Sequence, residues 1–133
     1  MTPLDEKMLV GGQIEPEAIP ALAAHGVTMI VNNRPDHEEP GQPLAAQIEA
    51  AAREAALDYR HIPVAGGMAP QQVQAMAEAL DSAQGKVFAF CKSGTRSTWL
   101  WALAEAQRGA EAGSSIRKAA EAGYDIEALR PYL

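Results

Sequence analysis

A chain of 133 residues has room for one hydrophobic core of ordinary size and no second one, so a single domain over residues 1–133 is expected. With 47% hydrophobic and 21% charged residues it falls among soluble globular proteins and away from disordered chains. The formal charge is −6 and the eleven Lys and Arg are scattered rather than gathered into a stripe, which argues against nucleic acid or an anionic membrane as partner and leaves only a local anion site. No basic flank followed by an apolar run opens the chain, and no stretch is long enough to span a bilayer, so a cytoplasmic location is expected. One cysteine cannot close an internal disulfide, and three scattered histidines lack close metal-ligand spacing; neither a metal nor another cofactor is expected.

In chain order, the apolar run Met8-Leu9-Val10 reads as a strand ending at Gly11-Gly12. Pro16 and Glu17 then open an Ala- and Leu-rich helix that stops at Gly26. Val27 to Val31 is β-branched and almost wholly apolar, as in a strand covered on both faces, and the proline-rich stretch Asn32 to Gln42 reads as a long loop. Leu44, Ile48, Ala51, Ala52 and Ala55 recur at helical spacing between Pro43 and Ala56. An extended piece at Tyr59 to Val64 leads through the flexible turn Ala65 to Ala69 into a helix from Pro70 to Ala83, with Val73, Met76, Ala77 and Leu80 as its inner stripe. Val87 to Phe90 is a short hydrophobic strand, and the chain turns helical again from Ser97 to about Arg108. Ser114 or Ser115 can cap a helix to about Ala122, ended by Gly123, before a last helical turn around Ile126 to Leu129. Strands alternating with helices of this length imply an α/β fold, a mainly parallel sheet with helices on both faces and its site beyond the carboxyl ends of the strands.

Cys91-Lys92-Ser93-Gly94-Thr95-Arg96 occupies such an end, between the strand 87–90 and the helix after it. The first N–H groups of a helix have no internal acceptor and carry the positive end of its dipole, so a cysteine at this place is expected to ionise readily and the loop to bind anions. Lys92 and Arg96 add positive charge, Gly94 lets the backbone fold tightly around an anion, Arg96 offers a planar fork for oxyanions, and Ser97 is placed to hydrogen-bond the sulfur. A free cysteine closing a buried strand is often only a small hydrophobe, but strand, cysteine, glycine, arginine and helix in this order favour a thiolate nucleophile. Trp99 and Trp101, two apart on one helix, cannot share a face, so one belongs in the core and the other is free to rim a site or an interface. Met68 is a candidate to cover the pocket.

Tyr59-Arg60-His61-Ile62-Pro63-Val64, followed about two dozen residues later by Val87 to Cys91 and Gly94-Thr95-Arg96-Ser97, resembles the dual-specificity branch of the protein tyrosine phosphatase superfamily. Gly12-Gln13 and Val31-Asn32-Asn33-Arg34-Pro35-Asp36 extend the likeness. The arrangement is most similar to the bacterial Blh-type phosphatase-like domains found fused to metallo-β-lactamase-type hydrolases, whose members are called either phosphatases or sulfur transferases. The resemblance implies a three-layer phosphatase-like fold, a small anionic substrate and a functional link to such a hydrolase.

Two departures from the phosphatase pattern bear on the chemistry. Phosphatases of this superfamily place five residues between cysteine and arginine, whereas this chain has four, Lys92, Ser93, Gly94 and Thr95; that shorter spacing resembles the active loop of rhodanese-type sulfurtransferases. Phosphatases also need an acid to protonate the departing alkoxide, commonly an aspartate soon after the Ile-Pro-Val segment, and here those positions are Ala65, Gly66 and Gly67. Asp36 or Glu38 could supply the proton if the loop brought it near, with His37 and His61 weaker candidates, although Asp36 after Pro35 also reads as a turn residue. Phe90 stands where many such phosphatases carry histidine. Sulfane sulfur transfer from thiosulfate or a persulfide to a thiol acceptor needs no acid and is the leading expectation, with Cys91 as carrier, Arg96 and the loop holding the anion, Lys92 attracting it, and Asn33, Arg34 and Met68 at the mouth. Phosphomonoester hydrolysis through a cysteinyl-phosphate is the alternative, and a non-catalytic module sensing anions or persulfides the third.

Overall fold

A computed structural model describes residues Met1–Leu133. Five strands form one sheet: β1 (Thr2–Pro3), β2 (Met8–Gly11), β3 (Val27–Asn32), β4 (Asp58–His61) and β5 (Lys86–Phe90). Their order is β1-β2-β5-β3-β4, with β1 antiparallel to β2 and every other pair parallel. The helices are α1 (Ile19–Ala24, entered through a 3-10 turn at Pro16–Ala18), α2 (Ala45–Glu54), α3 (Pro70–Ser82), α4 (Thr95–Gln107) and α5 (Ala112–Glu121), and a 3-10 segment at Glu127–Tyr132 closes the fold. No helix is long and apolar enough to cross a membrane.

The period-two alternation of strand side chains sorts the buried residues into two layers of core, one on each face of the sheet. Met8, Val10, Met29, Val31, Val87 and Ala89 face Val73 and Met76 of α3, Leu100 and Trp101 of α4, Ala119 of α5 and Ile126. Leu9, Ile30, Phe88 and Phe90 face Ile19 and Leu22 of α1 and Ile48 and Ala52 of α2. On this second face the Phe88 and Phe90 rings stack, with centroids 6.0 Å apart. Strands covered on both sides have no polar alternation to preserve, which is why β2, β3 and β5 read as continuous apolar runs.

The expected α/β architecture is therefore the one observed, with differences at the edges. The two-residue β1 is too short to carry a periodic signal in the sequence. α4 begins at Thr95, two residues before the expected Ser97, and α5 begins at Ala112 with Glu111 at its N-cap, so neither Ser114 nor Ser115 caps it; Ser115 is buried instead. The two tryptophans divide as their spacing requires: Trp101 is buried in the core, whereas Trp99 lines an apolar groove of about 850 Å³ with Met68, Val73, Leu103 and Leu129.

The register levels the carboxyl ends of the four parallel strands, pairing Gly11 with Phe90, Phe90 with Asn32, and Asn32 with His61. Backbone bonds carry the alignment one step further, with the Asn33 N–H donating to the Phe90 carbonyl at 2.8 Å and the Cys91 N–H to the Gly11 carbonyl at 3.3 Å. Gly12, Cys91 and Asn33 thus emerge side by side at the edge where open parallel sheets place their sites. Because Phe88 is 1% exposed and fills the α1–α2 face, Phe88→Ala should lower unfolding free energy by about 3–5 kcal/mol in urea titrations, whereas Tyr132→Ala, at a side chain 74% exposed, should change it by less than about 0.5 kcal/mol.

Candidate active site

Immediately after β5 the backbone bends so that the Gly94 N–H donates to the Cys91 sulfur at 3.1 Å. Gly94 has φ +93 and stands at the N-cap of α4, a conformation that costs any residue with a β-carbon about 1–2 kcal/mol. A β-carbon there would also lie 2.2 Å from the Tyr124 hydroxyl oxygen. Gly12 is needed for a different reason: a β-carbon on it would sit 2.8 Å from the Lys92 carbonyl, so the turn after β2 and the cysteine loop pack backbone against backbone. The Thr98 hydroxyl donates back to the Gly94 carbonyl at 2.8 Å, and Ser93 and Thr95 share a hydroxyl contact at 3.1 Å.

Cys91 is fully buried. Burial alone would push its thiol up; the backbone N–H groups of Ser97, Ser93 and Gly94, together with the Ser97 hydroxyl, outweigh it and bring the thiol below the ordinary cysteine range. That hydroxyl is buried and makes no hydrogen bond within ordinary geometric limits, so the Gly94 N–H is the better-aimed donor to the sulfur. The Arg96 guanidinium is a further counter-charge to the sulfur. Four of the expected residues, Ser93, Gly94, Arg96 and Ser97, thus surround the sulfur of the fifth, Cys91.

Arg96 does not stand free. Its Nη1 donates to Glu38 Oε2 at 2.8 Å and to the Val64 carbonyl at 2.7 Å, and its Nη2 donates to Glu38 Oε1 at 2.9 Å. Glu38 is anchored from behind by Arg34, whose Nε donates to Oε1 at 2.8 Å. Arg34 is 3% exposed and also donates to Gln13 Oε1 at 3.0 Å and Glu39 Oε1 at 2.5 Å. The hydrogen bond from Arg96 is the main cause holding the Glu38 carboxyl at about 2, with Arg34 adding to it and burial opposing. Glu38 is therefore ionised at neutral pH and accepts three hydrogen bonds from two arginines.

The remaining expected residues fall around this centre. Lys92 is exposed, with Nζ 3.8 Å from Glu39 Oε1. Asn33 is buried, and its amide nitrogen donates to the Ile62 carbonyl at 2.9 Å, tying the β3 end to the chain after β4; Arg34 is a buried brace rather than an open lining residue. Asp36 accepts the Ala45 N–H at 2.7 Å and so holds the start of α2. His37 is an exposed turn residue with φ +67, and His61 Nε2 lies 3.1 Å from the Arg34 carbonyl. Among the acidic candidates it is Glu38 that touches the loop arginine. Tyr124 went unnoticed in the sequence: its hydroxyl donates to the Ser93 carbonyl at 3.0 Å, and burial together with the Cys91 charge pushes its phenol up. Met68 and Trp99 line an apolar groove whose walls include neither Cys91 nor Arg96.

Two outcomes are expected. Gly94→Ala should destabilise the fold by more than about 1–2 kcal/mol, the cost of the left-handed backbone alone, and should slow Cys91 alkylation at neutral pH, both measurable on purified protein. Glu38 has a folded-state pKa of about 2 against an ordinary 4.5, so it binds fewer protons folded than unfolded; its stabilisation is complete above about pH 4.5 and fades as pH falls toward 2. Glu38→Gln should therefore lower the urea midpoint at pH 7 and flatten its decline across that acid window.

Comparisons with known proteins place this geometry in a family. The family model for the beta-lactamase hydrolase-like protein, phosphatase-like domain, matches residues 1–108. The chain is 38% identical over 132 residues to a beta-lactamase hydrolase-like protein of Agrobacterium fabrum, covering 98% of this chain and 31% of that one, and 35% identical over 125 residues to one from Xylella fastidiosa, covering 92% and 29%. It thus spans about a third of the length of these curated relatives. A crystal structure of a candidate phosphatase from Neisseria meningitidis superposes with a TM-score of 0.82 at 31% identity, covering 98% of this chain and 93% of that one. PTPMT1 superposes with a TM-score of 0.73 at 13% identity, covering 98% and 92%, a likeness of fold alone. These findings support a phosphatase-like domain on the protein tyrosine and dual-specificity phosphatase fold, and they favour the phosphatase alternative over the sulfur transfer expected first. The chain belongs to the phosphatase-like domain family of the beta-lactamase hydrolase-like proteins.

Proposed function

We propose that this domain is a cysteine-thiolate group-transfer enzyme for a small oxyanionic donor, and that sulfane sulfur transfer is the reaction its site supports best. The observation that carries the choice is the condition of Glu38. The one carboxylate in contact with the loop arginine is held at about 2 by two arginines, Asp36 is committed to the Ala45 N–H, and Ala65, Gly66 and Gly67 follow the Ile-Pro-Val segment. A reaction whose leaving group departs as a stable anion suits such a site, because no proton has to be delivered to it.

In that reaction the Cys91 thiolate attacks the outer sulfur of thiosulfate, a new S–S bond forms, the old one breaks, and sulfite leaves with the bonding pair. Backbone N–H groups and Arg96 hold the anion while charge moves onto the leaving group, and Lys92 raises the local concentration of anionic donors. An acceptor thiolate then attacks the outer sulfur of the Cys91 persulfide and restores the Cys91 thiolate. Ser97 serves the sulfur in both states.

Phosphomonoester hydrolysis is the second reading and has the weight of the comparisons behind it, since the family and its solved neighbours are described as phosphatase-like. In it Cys91 attacks phosphorus, the P–O bond breaks, and water later hydrolyses the cysteinyl-phosphate. The departing alkoxide needs a proton, so Glu38 would have to leave Arg96, or Asp36 leave Ala45, and become protonated.

Steady-state assays separate the two: thiosulfate with cyanide or a thiol acceptor on one side, an alkyl phosphomonoester whose alkoxide needs a proton to leave on the other, each with Cys91→Ser as control. Sulfur transfer that falls by at least about three orders of magnitude in Cys91→Ser, with negligible phosphate release, is the expected result. Cysteine-dependent phosphate release without sulfur transfer would move the assignment to the second reading. Oxyanion binding without turnover of either kind would leave the third expectation, a non-catalytic sensing module.

A further inference from the structure

The peptide unit that serves the sulfur is held from its other side. Ser93 C=O and Gly94 N–H belong to one planar trans peptide and point in opposite directions. The N–H reaches the Cys91 sulfur at 3.1 Å, and the carbonyl accepts the Tyr124 hydroxyl at 3.0 Å. Glycine at position 94 leaves this peptide easy to turn over, because neither sign of φ is penalised there. Turned over, it would aim a carbonyl dipole at the sulfur and remove a donor from the thiolate.

We infer that Tyr124 is a positioning residue for the reactive loop, its hydroxyl pinning the Ser93–Gly94 peptide in the orientation that aims the Gly94 N–H at the Cys91 sulfur. The tyrosine is well founded for this role. Its own N–H donates to the Ala119 carbonyl at 2.8 Å, in the turn where Gly123, at φ +96, ends α5. Ile126 and Leu129, just beyond, are buried in the α3–α5 layer of the core. The close approach also explains why position 94 tolerates no side chain, since the tyrosine oxygen occupies the place of a β-carbon. Tyr124 lies beyond residue 108, where the family match ends, so the C-terminal segment contributes to the site and does more than cover the sheet.

This inference rests on Cys91 acting as a thiolate and holds for either transfer reaction. The test is the pH dependence of Cys91 alkylation by iodoacetamide in the wild type, Tyr124→Phe and Tyr124→Leu, with urea unfolding of each. Phenylalanine keeps the ring and removes only the hydroxyl, and it leaves Arg96 and its Glu38 partner in place as the other ionised groups around the sulfur. The alkylation curve of Tyr124→Phe should move to higher pH, lowering the rate at pH 7 about three- to tenfold, the size expected when one hydrogen bond to a charged group is weakened, while the unfolding midpoint stays near that of the wild type. Tyr124→Leu should show at least the same displacement. A wild-type curve already low in pH and superimposable on that of Tyr124→Phe would overturn the pin alone; a wild-type curve at the position of a free thiol would overturn the thiolate reading as well.

Discussion

The site depends on one electrostatic arrangement: a sulfur atom at the end of a buried strand faces the first N–H groups of a helix that begins four residues later. A thiolate sealed away from water is costly, and only donors fixed in advance can offset that cost. The level carboxyl ends of β2, β5 and β3 place the loop, Gly12 lets the neighbouring turn pack on it, and Gly94 folds it back so that its own N–H reaches the sulfur. Because the donors are backbone groups held by the sheet and by α4, they need no reorganisation when charge shifts during a transfer.

Around that core the charges are arranged in a chain rather than as isolated pairs. Buried Arg34 anchors Glu38, and Glu38 in turn grips Arg96 through both oxygens. The brace orients the arginine toward the loop and, by the same contacts, removes the carboxylate from acid chemistry. A structural benefit and a chemical restriction thus come from one side chain. The fold is shared with phosphatases, whereas the carboxylate that touches Arg96 is engaged by two arginines, and fold alone does not settle which group is transferred.

Much of this was legible in the sequence where the signal is local. The residues from Cys91 to Arg96, running from the end of an apolar strand into the first turn of a helix, give a local signal for an anion-binding loop, and the continuous apolar runs of β3 and β5 announce a sheet covered on both faces. The partner of Arg96 was not legible, because Glu38 is 58 residues away and contacts across that distance leave no periodicity; it stood only as one of several acids that could reach the site. Asp36 reads both as a candidate acid in the loop after β3 and, following Pro35, as a turn residue; it lies in a turn and accepts from the Ala45 N–H at the start of α2. Tyr124 gave no signal at all, since a tyrosine after a helix-ending glycine is unremarkable until the fold brings it to Ser93. At α5, Ser114 and Ser115 looked like caps, but the helix had already begun at Ala112, and only the burial of Ser115 against the core accounts for its place.

The most direct test of the central claim, that a preformed thiolate at Cys91 takes a group whose departure needs no acid, is the intact mass of the protein after brief exposure to each donor and rapid quenching. A gain of one sulfur atom from thiosulfate, located on Cys91 and discharged by added thiol, with no phosphoryl adduct from an alkyl phosphomonoester, whose alkoxide cannot leave without a proton, is the predicted result. A phosphoryl group trapped on Cys91, with no sulfur gained from thiosulfate, would contradict it.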